Sequence, residues 1–161
     1  HPTRVRRLVL DGLAMFSEDD KTELMAHYAP EIRPDITGSQ FNWAWHFIRD
    51  QMVYFPYFKR DPEHLRHVPM APPELLHTLT VEVLKAVTTY HKGYRAAFRH
   101  EAVRRLPLIA QPTLCIAAED DPLRTGIPEA AALIPQARQA IVPHNQLCST
   151  ILEFLDGPDT D

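Results

Sequence analysis

Apolar residues fall into short continuous runs and into longer stretches with helical spacing. Val5-Arg6-Arg7-Leu8-Val9-Leu10, closed by Asp11-Gly12, predicts a strand ending in a turn. Thr113 to Ala118 and Arg138 to Val142 predict two more strands, the first of them buried. Ser17, with Asp20 three residues on, predicts a helix start, and Pro30 stops that helix near Ala29. Phe41 to Phe55 predicts a second helix with Phe41, Trp45, Ile48 and Met52 on its apolar face, ended by Pro56. Residues 61–73 are proline-punctuated and predict only short turns. Pro73 opens the strongest helical pattern, whose stripe is Leu75, Leu76, Leu79, Val83, Leu84 and Val87. Gly93 is the expected interruption, after which Tyr94, Ala97 and Phe98 resume the stripe towards His100. Pro128 to Ile134 and Leu147 to Leu155 predict two further helices. The order is strand, helical block, strand, helix, strand, helix.

Two motifs give this order a family likeness. Pro2-Thr3-Arg4-Val5-Arg6-Arg7-Leu8-Val9-Leu10 resembles the strand after the nucleophile-bearing helix in α/β-hydrolase-fold enzymes. Ile109-Ala110-Gln111-Pro112-Thr113-Leu114 resembles the entry to their acid-bearing strand. The resemblance implies an α/β chain: a partial parallel sheet with an inserted helical cap, the N-terminal half of the fold being absent. Residues 1–15 and 102–161 would then be core, and 16–101 cap. In that family the triad runs along the chain as nucleophile, acid, histidine. Asp121, immediately before Pro122, matches the acid, with Asp120 as its alternative. His144 is the one histidine after the acid and so matches the base. An Asp before Pro is also a common turn, and that plainer reading of Asp121 stays open.

The departures are as informative. A nucleophile elbow needs Gly-x-Ser-x-Gly or a near variant, because its strained turn leaves little room for side chains. Gly12, Gly38, Gly93, Gly126 and Gly157 include no pair four apart, so the motif is missing. Pro143-His144-Asn145-Gln146 is also abrupt for a catalytic loop: either the loop is shortened, or residues are missing between Pro143 and Leu147. The expectation is therefore the C-terminal portion of a hydrolase acting on an ester, epoxide, halide or C–C bond, inert alone. The alternative is a non-enzymatic ligand-binding or interaction module derived from the fold.

Trp43, Trp45, Tyr54 and Tyr57 are the candidates for contact with a small organic substrate, since aromatic walls suit such pockets. Arg49 and Asp50, as sequence neighbours, are expected on different helix faces, with a structural ion pair elsewhere rather than a catalytic role. The resemblance implies no cofactor, and neither His64 and His67 nor the cysteines have metal-site spacing. Length suits one domain with a real core rather than two. A net charge of −4 with mixed signs points away from nucleic acid. No apolar run approaches membrane-spanning length, and two cysteines make no disulfide framework, so the expected setting is cytoplasmic. The first strand would lack sheet neighbours, so the missing N-terminal half or a second copy is the expected partner.

Overall fold

The computed structural model of the chain describes residues 4–157. Pro2 and Thr3 of the first family-like motif lie outside them. Residues up to Phe16 and from Glu101 onward form one compact unit, and Ser17–His100 form another. Length alone suggested a single core. Aromatic side chains explain the second, because each buries a large apolar area in few residues.

The first unit is built on three parallel strands in the order β1 (Leu8–Asp11), β2 (Thr113–Ala118), β3 (Ala137–Val142). Leu8 pairs with Thr113, and Thr113 with Ala137, so the three strands run in step. All six residues of β2 are buried, as expected of a central parallel strand covered on both faces. Cys115, Ala117, Ile127, Ala130 and Ile134 form its core with Ala102 and Leu106. Helix α5 (Ala102–Arg105) leads towards β2, α6 (Ile127–Leu133) packs on β2 and β3, and α7 (Leu147–Asp156) packs on β2.

β1 is shorter than the apolar run suggested, because Arg6 and Arg7 are used otherwise. The Arg7 guanidinium donates to the carbonyls of Phe154 and Leu155 and lies 5.6 Å from the Phe154 ring centroid. It thus caps the C-terminal end of α7, where carbonyls lack helical partners and positive charge is favoured. Gly126 sits where α6 meets the chain after β1. A Cβ there would lie 2.6 Å from the Leu13 carbonyl oxygen, so only glycine fits without a shift.

The second unit holds α1 (Glu18–His27), α2 (Ser39–Val53), α3 (Pro73–Lys85) and α4 (Tyr90–Phe98). Ser17 and Asp20 form the reciprocal cap of α1: Ser17 Oγ accepts from the Asp20 N–H, and Asp20 accepts from the Ser17 N–H. Helix α2 turns a different face inward from the one its largest residues suggest. Ala44, Phe47, Ile48 and Asp50 are buried, whereas Phe41 is 60% and Trp45 37% exposed. The small Ala44 permits close approach, α2 packing against α3, and Phe47 fills the aromatic centre. The third and fourth helices part at residues 86–89, ahead of Gly93, which lies inside α4. The Thr89 and Tyr90 N–H groups both turn back to the Ala86 carbonyl there.

Tyr28 is the hub of the second unit's core. Its ring centroid lies 4.9 Å from that of Tyr94, 5.3 Å from Tyr57 and 5.6 Å from Phe98. Phe47 meets Tyr57 and Tyr90 edge-on at 4.9 and 5.5 Å. Edge-to-face pairs of this kind contribute about 1 kcal/mol each beyond the area they bury. Beside them Asp50, buried, accepts from Arg49 at 2.7 and 2.5 Å and pairs with Arg60 at 2.7 Å. The expected separation of Arg49 from Asp50 does not hold, because the long arginine stem folds back across the helix surface.

Candidate active site

Parallel strands that run in step deliver their trailing loops to the same edge of the sheet, where α/β proteins place their ligands. β1 ends in Asp11, β2 runs into Glu119-Asp120-Asp121, and β3 runs into Pro143-His144. The backbone holds these ends together: Gly12 donates to the Ile116 carbonyl at 3.0 Å, and Glu119 to that of Val142 at 2.9 Å. The carboxylates of Asp11, Asp120 and Asp121 and the His144 imidazole meet at this edge.

The imidazole and one carboxylate pair directly. His144 Nδ1 is 3.8 Å from Asp120 Oδ1, ion-pair range and longer than a hydrogen bond. Both side chains are more than half exposed, so water screens the pair and its worth to stability is well under about 1 kcal/mol. Asp121 is held differently. Its Oδ1 accepts the Leu123 N–H at 2.7 Å, an Asx turn that fixes the loop after β2. Its other oxygen faces Gly12, and its backbone carbonyl accepts from Arg124 Nη1 at 3.1 Å. The Asp11 carboxyl titrates above the usual carboxylate range: partial burial comes first, the Asp121 charge second, and His144 opposes both.

The sequence-selected substrate contacts belong to the helical unit. Trp43 stacks on Phe47 at 4.9 Å, and Tyr57 packs edge-on against the same ring, so these two come together. Trp45 lies on the outer side of α2, and Tyr54 sits just past α2 in an isolated bridge to Leu65. Tyr28, Tyr90 and Tyr94, which sequence reasoning passed over, line the aromatic centre more closely than Trp45 or Tyr54. The i, i+4 spacing of Tyr90 and Tyr94 was the available signal.

Neither cysteine is placed as a reactive thiol at this edge. Cys115 is wholly buried in β2, and burial pushes its thiol up, towards the inert form. Cys148 is exposed on the first turn of α7. Among the described residues no group of three or more His, Cys, Asp or Glu is placed to hold a metal ion. No helix among them is long and apolar enough to cross a membrane.

The sequence matches no family model and no curated protein. The structure is similar to that of MenH from S. aureus, with a TM-score of 0.59 over 94% of this chain at 17% identity. It is similar also to a crystal structure of a hydrolase from Pseudomonas aeruginosa PA01, with a TM-score of 0.52 over 97% of this chain at 18% identity. The chain carries part of the α/β-hydrolase fold. It spans 59% and 57% of those two chains, so the likeness covers a portion of the α/β-hydrolase architecture. The three-stranded parallel sheet with its flanking helices is that portion.

Proposed function

We propose that this chain is the acid- and histidine-bearing portion of a hydrolase. Its nucleophile comes from polypeptide outside these 161 residues, and Ser17–His100 corresponds to the helical cap of such an enzyme, whose substrate is a small organic molecule. The observation that carries this reading is the convergence of Asp11, Asp120, Asp121 and His144 at one sheet edge. His144 acts as base towards the incoming nucleophile, and a carboxylate of the β2 turn orients the imidazole and stabilises its cation. Asp120 stands nearest to His144 at 3.8 Å, and Asp121 is the residue the family-like motif selects. Trp43 and Tyr57 serve as part of the apolar substrate wall. The bond cleaved is of the ester, epoxide, halide or C–C type, and the protein acts in the cytoplasm. This chain supplies no covalent route alone, and the free edge of β1 is covered by the remaining strands or by a second copy.

The test begins with the encoded sequence upstream of His1, read for Gly-x-(Ser/Asp/Cys)-x-Gly. In the longer polypeptide, His144→Ala lowers kcat for an aryl ester by about a thousandfold or more. Parallel Asp120→Asn and Asp121→Asn variants identify the orienting acid by the larger loss. The present chain alone leaves the ester at its buffer rate. Turnover by this chain alone, indifferent to Asp121→Ala and His144→Ala, overturns the reading.

The non-enzymatic alternative, a ligand-binding module, is favoured by one observation: the helical unit has a cavity lined entirely by its own residues.

A further inference from the structure

Asp50 holds two arginines at the surface of the helical unit from a side chain that is itself 3% exposed. Burying a carboxylate is costly, and an apolar residue of its size would pack as well, so its worth lies in what the charge orients. Arg49 gives Nε and Nη2 to Asp50 Oδ1. Arg60 lies against the other oxygen, its Nη2 2.7 Å from Oδ2, as an ion pair without hydrogen-bond alignment.

One carboxylate is thus flanked by two guanidiniums, each with five N–H groups. Arg49 has engaged two of its nitrogens and Arg60 one, and no other acceptor among the described residues bonds to either. Their side chains are 39% and 60% exposed, so the unused donors reach solvent.

The charge count selects what these donors would take. Two guanidiniums and one carboxylate leave one positive charge. The neighbouring ionisable groups are engaged with one another: Lys59 pairs with Glu23 at 2.6 Å, and Asp61 turns onto the His64 ring at 2.7 Å and the Glu63 and His64 N–H groups. A monoanion neutralises the excess, and the guanidinium fork matches the planar carboxylate. A cation is repelled, and a neutral molecule leaves the excess charge as it was.

The same helix face offers an apolar surface. Trp43, Phe47 and Asp50 follow at spacings of four and three, so they share one side of α2. Phe47 and Asp50 are buried, and half-buried Trp43, stacked on Phe47 at 4.9 Å, carries this side outward. The seven residues from Trp43 to Asp50 rise about 10 Å, the length of an aryl group on a short alkanoate chain.

We infer that Arg49 and Arg60, aimed by Asp50, bind the carboxylate of a small organic monoacid whose apolar body lies along α2 against Trp43. The site is contained in Ser17–His100 and needs no nucleophile, so it stands apart from the hydrolase reading.

Calorimetric titration of the full chain with 4-phenylbutyrate and with the neutral 4-phenylbutanol tests it. The acid binds saturably and about tenfold tighter than the alcohol, the worth of a charge-assisted hydrogen bond. Arg60→Gln, at an exposed side chain, lowers the affinity for the acid about tenfold and leaves that for the alcohol unchanged. Arg49→Gln repeats the loss from the other side of Asp50 and keeps the test open if one variant unfolds. Equal binding of acid and alcohol, no saturable binding of the acid, or acid binding undiminished in both folded variants overturns the proposal. Circular dichroism of each variant confirms that a loss comes from the site and not from unfolding.

Discussion

Gly12 and Asp121 meet across the C-terminal ends of β1 and β2, so closely that a methyl group on Gly12 would lie 3.1 Å from Asp121 Oδ2. Gly12 also has φ of 64°, a left-handed conformation in which an L side chain crowds its own backbone. The turn after the first strand therefore needs glycine twice over, once for its backbone and once for the carboxylate beside it.

Gly12→Ala should destabilise the chain by about 1 kcal/mol from the backbone alone. It should also push the Asp121 carboxylate away from β1 and loosen its bond to the Leu123 N–H. Denaturant unfolding measures the first effect, and the Leu123 amide shift in an NMR spectrum reports the second. An alanine variant with both unchanged would show that the close approach is not maintained in solution.

How legible this arrangement was depends on the scale of the signal. The run Leu8-Val9-Leu10 and the run Thr113–Ala118 announced their strands because a buried parallel strand must be apolar almost throughout. That Asp120, Asp121 and His144 would follow directly on strands was legible from the apolar runs before them. Which carboxylate faces the imidazole was not, because a one-residue choice between Asp120 and Asp121 is decided by the Asx turn. The inward face of α2 was misread because Phe41 and Trp45 are large, whereas close helix packing selects Ala44 and the geometry of Phe47. The rings of Tyr28 and Tyr94 meet across 66 positions of sequence, a distance no local pattern spans.

Asp50 anchors two guanidiniums from a side chain that is 3% exposed. Asp50→Ala should cost about 2 kcal/mol, because hydrogen bonds to charged groups are lost while Arg49 and Arg60 can turn back into water. The double variant with Arg60→Ala should cost less than the two single losses added, since the partners share one interaction. Urea midpoints of the four proteins close that cycle, and strict additivity would mean that the Arg60 pair contributes nothing.

Asp11 supplies a pH test in the acid range. Its folded-state titration is raised by partial burial and by Asp121, so the folded chain holds this proton more firmly than the unfolded chain does. The stability it contributes is complete below the ordinary aspartate range near pH 4 and is lost as pH rises through the higher folded value. Asp11→Asn should therefore raise Tm slightly at pH 7, the exposed carboxylate being screened by water, and leave it nearly unchanged at pH 3. A variant that is less stable at pH 7 would mean that the Asp11 charge is attracted more by His144 than repelled by its acidic neighbour.

The packed tyrosines of the helical unit supply the test at the other end of the scale. Burial is the main cause that pushes the Tyr94 phenol up to about 12, and it moves Tyr28 and Tyr90 the same way. In the unfolded chain each would ionise near pH 10. The folded state thus keeps protons that the unfolded state releases, so the stability held at neutral pH falls as pH rises from 10 through 12. Absorbance at 295 nm should show the phenols of Tyr28, Tyr90 and Tyr94 appearing only as the chain unfolds. Tyr94→Phe removes the phenol beside Tyr90 and should let Tyr90 ionise earlier, ahead of the unfolding transition. If all five tyrosines titrated together near pH 10 with the fold intact, these phenols would be in contact with water.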